Sequence, residues 1–323
     1  MHVATLDLID VQMNGSTLST VTEFELVCFP GFQDNKMFLF FGFFVLLLIT
    51  LTSNLVFILL VSLDHRLHTP MYFFLCNLSL LDIMMAISIT PKLLAVFRGY
   101  NKINFSDCFL QLYFIISSGC TENFLFAAMA YDRYIAVVKP LHYNMIINGK
   151  KCFLIMVITW ILGFLFPAAN TILASILPFC ASNKIMHCYC DLPALLSLAC
   201  AEITDQADGL FGLAVIANYV PLIYVLWSYV KIVLCVLRLK TTESRTKAFS
   251  MCSSHIVMVV MNYVFAFIMF IELKMEVGIL NCLLIPMVNP MIYSLSNQKL
   301  KEAAKKLWTL LKAFTGCTSL WRT

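Results

Sequence analysis

Asp132 and Arg133 stand side by side in "MAYDRYIAVV" (129–138), at the end of a long apolar run. Two further carboxyl groups, Asp82 and Glu122, lie inside apolar runs, and "KAFSMCSSHI" (247–256) sets Ser250, Cys252, Ser254 and His255 close together. Catalysis needs a nucleophile within reach of a base, with the base oriented by a third group. No such set can be assembled here. The Ser/Cys/His cluster sits at a helix end without a closed pocket, and nothing beside Asp132 and Arg133 can hold a substrate. An enzyme is therefore excluded. Carboxyl groups within apolar segments point instead to cation or proton binding, and the Asp–Arg pair to an anchor or a latch.

The elements that position these groups follow from composition. The 323 residues are 61% hydrophobic and 12% charged, about half the charge of a soluble domain. No soluble core can hide so much apolar surface, so the chain is read as an integral membrane protein. A helix crosses the bilayer with about 20 apolar residues. Seven segments qualify: 37–62, 70–96, 108–132, 151–173, 207–238, 250–271 and 277–295. They lack the alternation of a barrel, so the expected fold is all-α, a seven-helix transmembrane bundle. The expected organisation is an outer tail over 1–36, the bundle over 37–295, and a cytoplasmic tail over 296–323.

Basic residues set the direction. With the N-terminus outside, 16 of the 22 Lys and Arg fall on cytoplasmic segments, as the positive-inside rule asks. The net charge of +4 therefore speaks of orientation, and no nucleic-acid partner is expected. No secretory signal peptide is evident in residues 1–30, where acids are mixed among polar residues. Asn14 heads an Asn-Gly-Ser sequon on this tail and is a glycosylation candidate. After the last span, "NQKLKEAAKKLWTLLKAF" alternates lysines with leucine and alanine at helical spacing, the pattern of a short amphipathic helix on the inner leaflet.

Polar groups within the spans have their own logic. Asn54, Asp82, Glu122, Asn289 and Pro290 come from four spans and can converge on one polar cavity, where two carboxylates suit a hydrated sodium ion. In span three, Ile115, Gly119 and Glu122 share a face, with Ile116, Cys120 and Asn123 on the adjoining stripe. That gives either a greasy pocket above a polar floor or plain helix packing. Pro221 and Pro290 should kink their spans and free backbone carbonyls. Lys274, near the outer end of span six, either draws an acidic ligand or snorkels to the interface. Of the cysteines, 108, 180, 188, 190 and 200 fall on the oxidising outer side. "HCYC" (187–190) has zinc-ligand types, but two disulfides with one cysteine left over is the plainer reading.

Five stretches in register resemble one family. "HTPMYFFLCNLSLLD" (68–82), "MAYDRYIAVVKPLHY" (129–143), "SYVKIV" (228–233), "KAFSMCSSH" (247–255) and "PMVNPMIYSLSN" (286–297) resemble the motif set of vertebrate olfactory receptors, which are rhodopsin-like G-protein-coupled receptors. The loop "LPFCASNKIMHCYCDLPALLSLAC" (177–200) is similar to that family's second extracellular loop.

The resemblance implies a disulfide from Cys108 to Cys190 and another from Cys180 to Cys200, leaving Cys188 over. It implies a G-protein switch made of Asp132, Arg133, Tyr134, Tyr229, His255, Asn289, Pro290 and Tyr293, and a sodium site at Asp82 and Glu122. The implied ligand pocket comprises Ile115, Ile116, Gly119, Cys120, Tyr263, Ala266, Phe267 and Phe270. The chain departs from the family at Ser53, Ser296, Asn262 and Val264. No cofactor beyond sodium is implied. The implied partners are a small apolar odorant, a stimulatory heterotrimeric G protein acting through cAMP, membrane lipids and trafficking chaperones. The implied location is the plasma membrane, ciliary where the receptor serves olfaction. Two rivals remain at this point. One is a rhodopsin-like receptor for a peptide or an amine, the amine version needing an aspartate on span three where Ile115 stands; the other is a transporter or channel using Asp82 and Glu122 as ion ligands.

Overall fold

A computed structural model describes residues 21–179, 182–200, 204–272, 275–296 and 298–319. Asn14, Cys180 and Lys274 lie outside the described residues, as does the side chain of Phe270. The chain forms a bundle of helices α1 (Lys36–Leu63), α2 (Pro70–Phe97), α3 (Phe105–Val138), α4 (Gly149–Ser175), α5 (Thr204–Leu237), α6 (Thr242–Glu272) and α7 (Met275–Ser296). Helix α8 (Gln298–Ser319) follows at once. Six of these are long and apolar enough to cross a membrane, and α7 adds the shorter apolar stretch Cys282–Ser294.

The helices are apolar nearly all round because one side meets the bundle and the other meets lipid. On α1, Phe38 is 79% exposed while Phe57 is 2% exposed. Helix α3 is the most enclosed and runs through the centre, packed by α2, α4, α5 and α6. Its closest neighbour is α4. A side chain begun at Gly163 would come within 2.7 Å of the Thr121 Cα, so glycine is what lets these two backbones meet. Leu300 and Ala303 on α8 are buried against the bundle while its lysines 299, 301, 305 and 306 are exposed.

The helical bundle carries one small addition. On the outer side, β1 (Glu23–Leu26) lies between β2 (Lys102–Asn104), antiparallel, and β3 (Lys184–Ile185), parallel. Residues of the tail are thus part of the fold: Phe24 and Leu26 are buried at 1% each, while Glu23 pairs with Lys102 and Glu25 accepts from Asn101. The alternation Phe24, Leu26, Cys28 against Glu23, Glu25, Val27 is the period-two signal of a half-buried strand.

That strand carries a correction. Cys188 is not left over: it is bonded to Cys28, which the sheet brings alongside it. Cys108 bonds Cys190, joining the loop to the outer end of α3. With Cys188 and Cys190 both in disulfides, "HCYC" has no thiolate to offer zinc. Cys200 is also disulfide-bonded, and Phe179 pairs with Ala199 beside it.

Candidate functional site

Beneath the strapped loop lies a cavity of about 580 Å³, within the usual range for small-molecule sites. Helix α3 lines it through Ile115, Ile116, Gly119 and Cys120, the adjoining α4 through Phe166, Pro167 and Asn170, and α7 through Cys282, Ile285 and Pro286. Tyr189, Asp191, Leu192, Pro193 and Leu196 close the outer end. Gln111 fixes that roof: its Oε1 accepts from the Cys190 backbone N–H at 3.0 Å, and its Nε2 donates to the Ser88 carbonyl at 2.9 Å.

The α6 contribution differs from expectation. Asn262 lines the cavity, whereas Tyr263 turns its hydroxyl to the Asn218 carbonyl at 3.3 Å. Phe267 is 63% exposed, because five residues from Asn262 is about 140° round a helix. Ala266, one turn above Asn262, is exposed too and does not line the cavity. Of the expected lining residues, the cavity takes Ile115, Ile116, Gly119 and Cys120 from α3; from α6 it takes Asn262 instead. The stapled loop is the roof expected from the sequence, but its lining residues and the α4 residues Phe166, Pro167 and Asn170 carry no sequence signal of their own. Only Leu192-Pro193, a proline starting a short helix after two bonded cysteines, could have marked the roof.

The floor is polar. Asn289 on α7 donates to both oxygens of Asp82, at 3.0 and 3.2 Å. Asp82 and Glu122 both line the cavity, are 2% and 9% exposed, and Glu122 Oε1 has no hydrogen-bond partner. Asn54 on α1 donates to the Pro286 carbonyl at 2.9 Å and to its own Thr50 carbonyl at 3.0 Å. Asp82 and Glu122 thus share the floor, with Asn289 bonded to Asp82, while Asn54 bonds the backbone of α7 at Pro286.

Below the floor, α3 ends in a second cluster. Arg133 Nη2 donates to Asp132 at 2.7 Å, the Tyr143 hydroxyl donates to the other Asp132 oxygen at 2.6 Å, and Arg133 Nη1 reaches the Met251 carbonyl of α6 at 3.5 Å. Tyr143 lies outside the spans, and burial beside Asp132 raises its pKa. Arg133 Nε is buried without an acceptor, so the guanidinium is held but not saturated. Across from it, the Tyr229 hydroxyl meets His255 Nδ1 at 2.6 Å, Tyr134 packs on Trp227, and buried Tyr293 packs edge-on to Phe57. A cavity of about 200 Å³ lined by Arg133, Met251, Ser254 and Tyr293 opens beside the pair.

Comparison with known proteins decides the family. The olfactory receptor family model matches residues 43–311. This chain belongs to the olfactory receptor family. Human olfactory receptor 6F1 is 39% identical over 295 residues, covering 88% of this chain and 96% of that one. Human olfactory receptor 2F1 is 38% identical, with 93% and 96% covered. The dog olfactory receptor-like protein OLF3 is 37% identical with the same coverage. The chain is accordingly a multi-pass membrane protein of the seven-helix class and not an enzyme.

Proposed function

We propose that this receptor binds small, largely apolar odorants in the roofed cavity and activates a stimulatory heterotrimeric G protein, raising cAMP. The observation that carries the reading is the course of α3. Ile115, Gly119 and Cys120 line the cavity, and Asp132 and Arg133 end the same helix beside the cytoplasmic cavity. Ligand can shift the bundle only by binding its active arrangement more tightly.

In that arrangement α6 leaves Arg133, whose link to α6 is the long contact with the Met251 carbonyl. Tyr293 of α7, which lines the cavity beside Arg133, and Tyr229 of α5, bonded to His255, then take new partners, and the freed guanidinium meets the G protein. His255 is fixed by Tyr229 and by the face of Phe126 at 6.0 Å, so it couples α3, α5 and α6.

Asp82 and Glu122 suit a sodium ion: both are buried oxygen donors, and Glu122 Oε1 lacks a partner. Bound there, the ion would hold the resting bundle by satisfying those carboxylates. The tail over 1–36 is assigned to the outside, with Asn14 as its glycan site, and Cys180 as the partner of Cys200. Helix α8 rests on the inner leaflet, with its exposed lysines facing lipid headgroups. The receptor works at the plasma membrane, ciliary in an olfactory neuron, and reaches it with trafficking chaperones.

The test is a screen of small organic molecules on cells carrying the receptor and a cAMP reporter. At least one ligand should raise cAMP, and Arg133→Ala should abolish the response at equal surface expression. A response that survives in Arg133→Ala would overturn the mechanism.

A further inference from the structure

The lining of the roofed cavity has an uneven charge. Asp82, Glu122 and Asp191 are all present, and no Lys, Arg or His occurs among the described lining residues. Hydrogen-bond acceptors are also in surplus. Asn123 and Asn170 line the cavity, are 5% and 3% exposed, and each has a buried side-chain oxygen without a donor. Buried acceptors are rarely left unpaired in a finished fold, so these oxygens await a donor-bearing guest.

Asp191 differs from the two floor carboxyls. Asp82 is held by Asn289, whereas Asp191 has only the backbone N–H of Leu192 and no ion pair among the described residues. It sits in the roof, immediately after Cys190, which the disulfide to Cys108 holds in place. An ammonium offers three donors and no acceptor, and its pairing with a carboxylate strengthens where water is excluded. The apolar walls at Ile115, Ile116, Phe166 and Leu196 suit a hydrocarbon body.

We propose that this cavity selects small organic amines, with the ammonium held by Asp191 of the roof and the hydrocarbon part against the apolar lining residues of α3 and α4. This rests on the reading of the cavity as the ligand site. It replaces the aspartate missing from span three, where Ile115 stands, with a carboxylate supplied by the loop.

Tyr189 and Cys282 are the titratable groups that face Asp191, and burial raises its pKa to about 6. Amine binding therefore weakens as pH falls through 6, where the carboxyl takes up its proton.

The experiment measures thermal unfolding of the purified full-length receptor with three probes of equal size: cyclohexylmethylamine, cyclohexylmethanol and cyclohexanecarboxylate. Ligand that binds only the folded state raises the midpoint. The amine should raise it most at pH 7.5 and lose that advantage at pH 5. Asp191→Asn should weaken the amine at least roughly tenfold, as loss of a buried charge partner does, while Asp191→Glu keeps the shift. The midpoint without probe shows that each variant is folded. An equal or larger shift from the alcohol or the carboxylate, no shift from any probe, or an undiminished amine shift in Asp191→Asn overturns the proposal. The readout needs no G protein. An amine shift without cAMP would refute the signalling account alone, and cAMP evoked by the alcohol without amine binding would refute the amine assignment alone.

Discussion

Asn54 donates its side-chain amide to the carbonyl of Pro286 at 2.9 Å. In a regular helix that carbonyl would accept from the residue four positions on, which is Pro290 and has no N–H. An asparagine on α1 thus completes the hydrogen bonding that proline removes from α7. The contact ties α7 to α1 without making it rigid, since one side-chain bond replaces a backbone bond at the bend.

Removing that amide is the first prediction. Asn54→Ala leaves the Pro286 carbonyl unpaired in the bundle and should cost about 1–3 kcal/mol of stability. The expected result is a lower thermal midpoint and reduced surface expression. An unchanged midpoint would mean that water serves the carbonyl as well.

The Cys28–Cys188 bond makes the second. Cys28→Ser and Cys188→Ser should each lower stability by about 2–4 kcal/mol, and the double variant by no more than either single one. Limited proteolysis should nick the segment before α1 in all three variants and spare the unaltered receptor. Additive losses would show that the two thiols act separately.

Packing of α3 on α4 gives the third. Gly163→Ala places a methyl group against Thr121 and should cost about 1–3 kcal/mol, as overpacking does. Surface expression and unfolding midpoint report it together. A neutral Gly163→Ala would mean that the helices part readily at this crossing.

The fourth concerns pH. Burial raises the Asp191 carboxyl from 3.8 to about 6. Between those values the folded receptor holds more protons than the unfolded chain, so stability falls as pH rises from about 4 to about 6. Above 6 the cost of the buried charge is present in full. Asp191→Asn removes it, and without ligand its midpoint should exceed that of the unaltered receptor at pH 7 and match it near pH 4. Parallel midpoint curves across that range would contradict the burial of this carboxyl.

The latch gives the fifth. Tyr143→Phe deletes the hydroxyl that donates to Asp132, and Asp132→Asn weakens the ion pair itself. Both should raise basal cAMP, the second more than the first. Basal signalling unchanged in Asp132→Asn would deny the pair its restraining role.

Much of this was legible because membranes simplify sequence. Long apolar runs specify helices, lysine and arginine specify direction, and isolated polar residues stand out: Asp82 and Asn289 meet each other, and Asn54 meets the α7 backbone. The outer sheet was harder. Strands of two to four residues are too short for a firm periodic signal, and the alternation around Phe24 is plain only once its partners are known. Cys28 carries no pairing signal in the sequence for the same reason. On α6, the rotation that brings Asn262 rather than Tyr263 to the cavity depends on which neighbours the helix meets, and single-chain periodicity does not fix that angle. Asp191 has no sequence signal that separates it from other loop acids, and its place in the roof gives it a role.

The central claim is that occupancy of the outer cavity frees Arg133 to act on a G protein. The most direct measurement is guanine-nucleotide exchange on purified stimulatory G protein, catalysed by the receptor reconstituted in lipid with a ligand found in the screen. The account predicts that ligand accelerates exchange by at least roughly tenfold, the population shift expected of about 1.4 kcal/mol of differential binding, and that Arg133→Ala abolishes the acceleration while still binding ligand. Exchange that ignores ligand, or that proceeds equally well in Arg133→Ala, would contradict it.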